Sequence, residues 1–75
     1  MGEEKIQKCV IEGINANGDG GETIKGDLTP QEICDGINSL FRRYYTVAFV
    51  PSYPRGKTYK FTGEVLLVEI ENIVN

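Results

Sequence analysis

The stretch NANGDGG at residues 15–21 holds the side chains in this sequence whose spacing is closest to that of a ligand set. Asn15, Asn17 and Asp19 place oxygen atoms at alternate positions, and Gly20 follows them. Oxygen donors at this spacing in a glycine loop suit a hard cation such as Ca²⁺. The alternative is a simple chain reversal, because Asn-Gly and Asp-Gly tolerate the positive φ of tight turns.

These residues resemble the first half of an EF-hand calcium loop, but the second half departs from that pattern. Glu22 stands where an EF-hand has an apolar residue, and Gly26 stands where it has the bidentate glutamate. Phosphate-binding glycine motifs fail as well, because Thr23 replaces the last glycine of G-x-G-x-x-G and Asp27 replaces the P-loop lysine. We therefore expect a turn between two strands, with no metal and no cofactor.

Catalytic side chains are scarce in this sequence, which has no histidine. Cys9 and Cys34 lack the C-x-x-C spacing of redox sites and lie in strand-like and helix-like runs, so we expect both to be small buried apolar residues without a disulfide. Glu69 and Glu71 would share one face of a strand, where carboxylates are usually solvated. We predict that the protein is not an enzyme.

Length and composition indicate one domain spanning residues 1–75, with residues 1–4 as a flexible tail. Hydrophobic residues make up 40% of the chain, enough for a folded core, and the net charge is -3. A mildly acidic chain is not a general nucleic-acid or membrane-surface binder. The start, MGEEKIQK, is acidic and polar, unlike a signal peptide, and no apolar run is long enough to span a membrane. We expect a cytoplasmic protein.

The clearest local signal predicts an α-helix within LTPQEICDGINSLFRRYY, residues 28–45. Thr29 suits the N-cap, Pro30 the first helical position, and Glu32 completes a capping box. Arg42 and Arg43 are expected in the last turn, where positive charge favours the negative end of the helix dipole. One apolar stripe follows from the helical spacing of Ile33, Ile37, Leu40, Phe41 and Tyr44.

Strands are predicted on both sides of this helix. Residues 5–15 and 45–50 are rich in β-branched residues, and a short strand is expected at 21–25. Residues 58–74 favour extended structure with a bulge or bend at Gly63, although residues 65–74 could be partly helical. The predicted fold class is α+β, with one α-helix packed on a small, mostly antiparallel sheet of three to four strands in the order β, short β, α, β, β.

Aromatic and basic residues are concentrated in one segment. All seven aromatic residues lie between positions 41 and 61, and residues 36–63 contain five basic residues and no acidic one. Tyr and Arg are enriched among the residues that dominate binding interfaces. We expect Phe49 and Phe61 to be buried, and Tyr53 and Arg55 to be exposed at a hairpin tip. The candidate partner-binding residues are Arg42, Arg43, Tyr45, Tyr53, Arg55, Lys57, Tyr59 and Lys60.

The type of partner is less constrained than the surface. RGKTYKF, residues 55–61, resembles the RNP1 strand of RNA-recognition motifs, which implies single-stranded nucleic-acid binding; it departs at Lys57 and Lys60, and the second helix of that family is not predicted. An acidic protein surface fits equally well, because the net charge would repel phosphate. We predict a protein-binding module of adaptor or inhibitor type with an unknown protein partner. The alternatives are a homodimer or larger assembly that pairs through a C-terminal strand containing VLLVEI, and a weak binder of single-stranded nucleic acid through the hairpin at 42–60.

Overall fold

An antiparallel sheet of four strands carries two helices in the computed structural model, which describes residues 6–52 and 55–74. The elements in chain order are β1 (Gln7–Ile14), β2 (Gly20–Leu28), α1 (Pro30–Leu40), β3 (Thr46–Val50), β4 (Tyr59–Phe61) and α2 (Leu67–Val74). The strand order across the sheet is β2-β1-β3-β4. This arrangement confirms the predicted α+β class. The predicted tail at residues 1–4 lies outside the described residues.

The core forms where α1 covers one face of the sheet. Alternate residues of β1 and β3 point to that face, and Ile11 is the Cα partner of both Ile24 in β2 and Phe49 in β3. Phe49 is fully buried as predicted, whereas Phe61 is only partly buried against the core. The buried apolar residues of this cluster are Cys9, Ile11, Ile33, Cys34, Ile37, Leu40, Val47, Phe49, Val65, Ile70 and Val74.

Helix α1 begins as its sequence predicts. The Thr29 hydroxyl accepts a hydrogen bond from the Glu32 N–H (3.2 Å), and the Glu32 carboxylate accepts one from the Thr29 N–H (2.8 Å). A Cβ added at Gly36 would lie 3.3 Å from Ile11 Cδ1, so the glycine allows the helix to approach the sheet closely. The predicted C-terminus was wrong by about one turn: α1 ends at Leu40, and a hydrogen bond from the Arg43 N–H to the Leu40 carbonyl (3.0 Å) tightens the following turn.

The C-terminal segment takes the helical alternative at Leu67–Val74 rather than the favoured strand. Only Tyr59–Phe61 of residues 58–74 is extended, the chain bends at Gly63, and Leu67–Val74 is α2. The Leu66 N–H donates to the Glu69 carboxylate (2.7 Å), which satisfies one backbone donor at the start of the helix. Packing decides the conformation, because helical spacing buries Ile70 and Val74 together against α1. The residues of VLLVEI, which the alternative of pairing between copies required as a strand, are therefore not a strand in the structure.

Two further sequence expectations need correction. Strand β2 runs over Gly20–Leu28, well beyond the predicted residues 21–25. Glu69 and Glu71 do not share a strand face, since both lie in α2 and the Glu69 carboxylate is bound to the backbone. Among the residues that the structure describes, no helix is long and apolar enough to cross a membrane.

Candidate partner-binding surface

The glycine loop at residues 15–19 closes the β1–β2 hairpin through its own hydrogen bonds. The Asn15 N–H donates to the Asp19 carbonyl (2.9 Å), and the Gly18 N–H donates to the Asn15 carbonyl (2.9 Å). The Asn17 side chain accepts from the Asp19 N–H and donates to the Asp19 carboxylate. Gly18 has φ of 92°, as an Asn-Gly turn requires. No group of three or more Asp, Glu or Cys able to hold a metal ion occurs within the described ranges.

Arg43 and one side of the Tyr44 ring lie against the β1–β2 hairpin. The ring of Tyr44 lies over Gly13 and Gly21, where an added Cβ would overlap the ring carbons. The Arg43 guanidinium lies 2.6 Å from the Glu22 carboxylate and 6.0 Å from the centre of the Tyr44 ring. Arg43, predicted as a binding residue, is therefore engaged within the protein.

Arg42 and Tyr45 flank an open depression of about 400 Å³ where α1 ends, β3 begins and β4 ends. Phe41 and Tyr44 are its partly buried aromatic residues. Tyr45 is 68% exposed, although its backbone N–H is fixed by donation to the Ile14 carbonyl (2.9 Å). The remaining residues that line this surface, here called the aromatic depression, are Asn38, Thr62, Gly63 and Glu64.

Asn38 anchors the segment that follows Thr62–Glu64, which lines the aromatic depression opposite α1. The sequence analysis did not identify this role of Asn38. Its side-chain oxygen accepts from the Val65 N–H (2.8 Å), and its side-chain nitrogen donates to the Val65 carbonyl (3.0 Å). These two bonds hold the chain that follows Thr62–Glu64 against α1. An asparagine on the inner side of a helix, where it is intrinsically unfavourable, was the available signal.

Three more predicted residues lie along β4 or just before it. Lys60 is exposed, and it is the partner of Ala48 in β3. The Lys57 ammonium lies 5.3 Å from the centre of the Tyr59 ring. Tyr59 is half-buried beside Phe49, with 6.4 Å between ring centres, so it belongs more to the core than predicted.

The remaining two predicted residues belong to the loop before β4. Arg55 is exposed as predicted, and its N–H donates to the Ser52 carbonyl (3.0 Å). Gly56 follows with φ of 107°, consistent with the expected turn. Tyr53 lies outside the described residues, so its predicted exposure stays a prediction. The structure therefore places Arg42 and Tyr45 at the same depression, whereas Arg43 lies at Glu22 on β2.

Both thiols are buried and have raised pKa values. Burial, with a smaller effect from Asp27, raises the pKa of Cys9 to about 11. Burial also raises the pKa of Cys34, assisted by the charges of Asp35 and Glu69. Both groups are thiols rather than thiolates at neutral pH, which disfavours nucleophilic chemistry. The expectation that both cysteines are buried is confirmed.

Comparison with known proteins adds no family to this description. No family model, curated protein or solved structure matches the chain.

Proposed function

We propose that this protein is a non-enzymatic binding module that holds a protein partner through the aromatic depression. The observation that carries the proposal is the exposed ring of Tyr45 beside the exposed Arg42, at the rim of a surface lined by Phe41 and Tyr44. A partner that buries Tyr45 removes a large ring from water and gives its hydroxyl a place for a hydrogen bond.

The geometry suits an apolar or aromatic side chain of the partner as an anchor. Phe41 and Tyr44 supply aromatic contact area, while Arg42 and Glu64 supply charges of opposite sign at the rim. Binding interfaces concentrate their free energy in such apolar centres surrounded by polar residues. The raised pKa values of Cys9 and Cys34 support a binding role over a thiol enzyme.

The test is capture of partners on the immobilised protein, followed by Kd measurement with each purified partner. Arg42→Ala combined with Tyr45→Ala should weaken binding at least about tenfold, or about 1.4 kcal/mol. Lys8→Ala with Thr23→Ala is the matched control, because both residues are exposed on β1 and β2, and one cation is again removed. A partner that loses affinity equally with both double variants would refute the aromatic depression as the site. Unfolding curves must show that all variants are folded.

Single-stranded nucleic acid is the second candidate, favoured by the five basic residues and the absence of acidic ones in residues 36–63. It is the weaker candidate, because the ring of Tyr44 lies on glycines and that of Tyr59 is half-buried beneath Lys57. Of the tyrosines that the structure describes, Tyr45 alone is exposed for stacking on a base. Oligothymidine binding that falls linearly with the logarithm of salt concentration and requires Tyr45 would favour this candidate.

A further inference from the structure

We infer that the partner contributes an extended acidic segment, which adds to the edge of β4 opposite β3 as a fifth strand and places its anchor side chain in the aromatic depression. This inference rests on the proposed function and specifies the chemistry of the partner. Its three supports are the position of β4 in the sheet, the charges along β4, and the continuity of β4 with the depression.

The first support is the open edge. β4 is the last strand in the order β2-β1-β3-β4, and β3 is its neighbour in the sheet among the described residues. Successive residues of a strand direct their N–H and C=O groups to opposite sides, so part of the β4 backbone faces away from β3. Thr58, Lys60 and Thr62 are exposed along this stretch. An added strand would satisfy the outward backbone groups.

The second support is charge. Lys60 lies on the sheet face turned away from α1, because side chains alternate along a strand and its neighbours Tyr59 and Phe61 both pack against the core. The Lys57 ammonium instead lies over the Tyr59 ring, and Tyr59 packs on the core side. The two lysines therefore flank the edge from both faces. Lysines at a sheet edge disfavour pairing with an uncharged strand or with the same edge of another copy. An acidic strand is favoured instead, because opposite charges on neighbouring strands attract.

Strand β4 leads directly into the aromatic depression. Phe61 ends β4, and the next three residues, Thr62, Gly63 and Glu64, line the aromatic depression. The distance from Lys57 to Thr62 along an extended chain is about 16 Å at about 3.3 Å per residue. A partner segment of about six residues would therefore reach from the lysines to the depression.

The opposite edge of the sheet does not offer the same chemistry. β2 carries Glu22 and Asp27 with Lys25 between them, Asp19 precedes it, and Glu22 is paired with Arg43, so an acidic segment would meet no excess of positive charge there. Gly26 also has φ of 145°, a backbone conformation that residues other than glycine rarely adopt. The acidic segment is therefore assigned to β4.

The experiment selects binders from a displayed library of short random peptides on the full-length protein. The expected peptides have excess Asp and Glu alternating with β-branched residues, and an aromatic or large apolar residue near one end. A synthetic peptide of the selected consensus is then titrated into the wild type and its variants. Amide hydrogen exchange at Tyr59–Phe61 should slow in the complex, because an added strand protects the outward backbone groups.

Lys60→Glu should weaken the peptide at least about tenfold, or about 1.4 kcal/mol. The matched control, Lys8→Glu, reverses an exposed charge on the same sheet face and should change the affinity less than about twofold. Arg42→Ala with Tyr45→Ala should also weaken binding. If only this double variant weakens it, the proposed function stands and strand addition is wrong. If only Lys60→Glu weakens it, the depression is not the site, and both proposals fail.

Other outcomes overturn the inference directly. A library that enriches no peptides, or enriches basic ones, excludes an acidic segment. Protection of the β4 amides that grows with protein concentration and needs no peptide would identify the acidic β2 edge of a second copy as the occupant. Oligothymidine that binds at β4 and displaces the peptide would identify nucleic acid as the natural ligand class.

Discussion

At one edge of the sheet β2 pairs with β1 along nearly its whole length, whereas at the other edge β4 pairs with β3 over three residues. The β2 edge is further fixed by the Arg43–Glu22 ion pair and by the Tyr44 ring over Gly13 and Gly21. On the β4 side, Tyr59 and Phe61 pack against the core, and Asn38 binds the backbone of Val65 just after the strand.

This difference separates the residues that stabilise the fold from those available to a partner. Arg43 is paired with Glu22 on the β2 side, while Arg42, Tyr45 and Lys60 are exposed on the β4 side. A short strand with few neighbours has lower local stability, and elements that bind partners are commonly of this kind. The following measurements test whether the two edges differ as described.

A large difference in stability is expected when the same substitution is placed at two glycines. Gly13→Ala should lower the free energy of unfolding by about 1–3 kcal/mol, because the added Cβ overlaps the Tyr44 ring. Gly63→Ala should change it by less than about 0.5 kcal/mol, since no atom beyond the adjacent residues lies within 4 Å of the added Cβ. Urea unfolding measures both. Equal costs at the two sites would show that Tyr44 does not depend on Gly13.

Asn38→Ala tests the attachment of the β4 side to α1. Loss of its two hydrogen bonds to Val65 should cost about 1–3 kcal/mol, at about 0.5–1.5 kcal/mol for each. Ser39→Ala, at an exposed position of the same helix, is the control and should be nearly neutral. Hydrogen exchange should rise first in α2. An Asn38 variant as stable as the Ser39 variant would argue against this attachment.

The buried thiol of Cys9, which lies in β1 beside β2, predicts that the free energy of unfolding depends on pH. The pKa of Cys9 rises from 9.0 to about 11 in the folded protein, so the unfolded chain releases the proton first. This contribution to stability is fully present below pH 9 and is lost as the pH rises toward 11, at about 1.4 kcal/mol per pH unit. Unfolding of wild type and Cys9→Ala across this range isolates the effect, and parallel pH profiles would contradict it.

The smallest effect concerns the two neighbouring arginines. Arg43→Ala should cost less than about 1 kcal/mol, because both partners of its ion pair are about half exposed, and it should leave affinity for the selected peptide unchanged. Arg42→Ala should show the opposite pattern, with unchanged stability and weaker binding. Loss of affinity in the Arg43 variant would place the binding surface nearer to β2.

The sequence predicted the local structure correctly where one short segment contains both partners of an interaction. Thr29 and Glu32 form their capping box within one turn, and the Asn-Gly pair sets the hairpin between β1 and β2. The spacing of Ile33, Ile37 and Leu40 likewise predicts the buried face of α1. The fold class followed from these elements and from the β-branched runs on either side.

The sequence did not predict structure that depends on contacts between residues far apart in the chain. The β-branched residues of 65–74 favour a strand locally, yet the segment is a helix because Ile70 and Val74 bury against α1 and Asn38 binds Val65 from 27 residues away. The sequence likewise located the segment that holds the basic and aromatic residues, but it did not indicate which of them are buried and which are exposed. Tyr59 enters the core because its strand lies beside Phe49.

The sequence alone therefore determined the helix start, the glycine turn, the fold class and the segment in which the exposed basic and aromatic residues lie. The tertiary structure decided which of those residues, among the ones that the structure describes, are exposed. Arg42 and Arg43 are adjacent and chemically identical, but the turn after α1 carries Arg43 to Glu22 and leaves Arg42 at the aromatic depression. That choice depends on where β2 lies relative to the end of α1, and such long-range positions are set by packing of the whole core rather than by neighbouring residues.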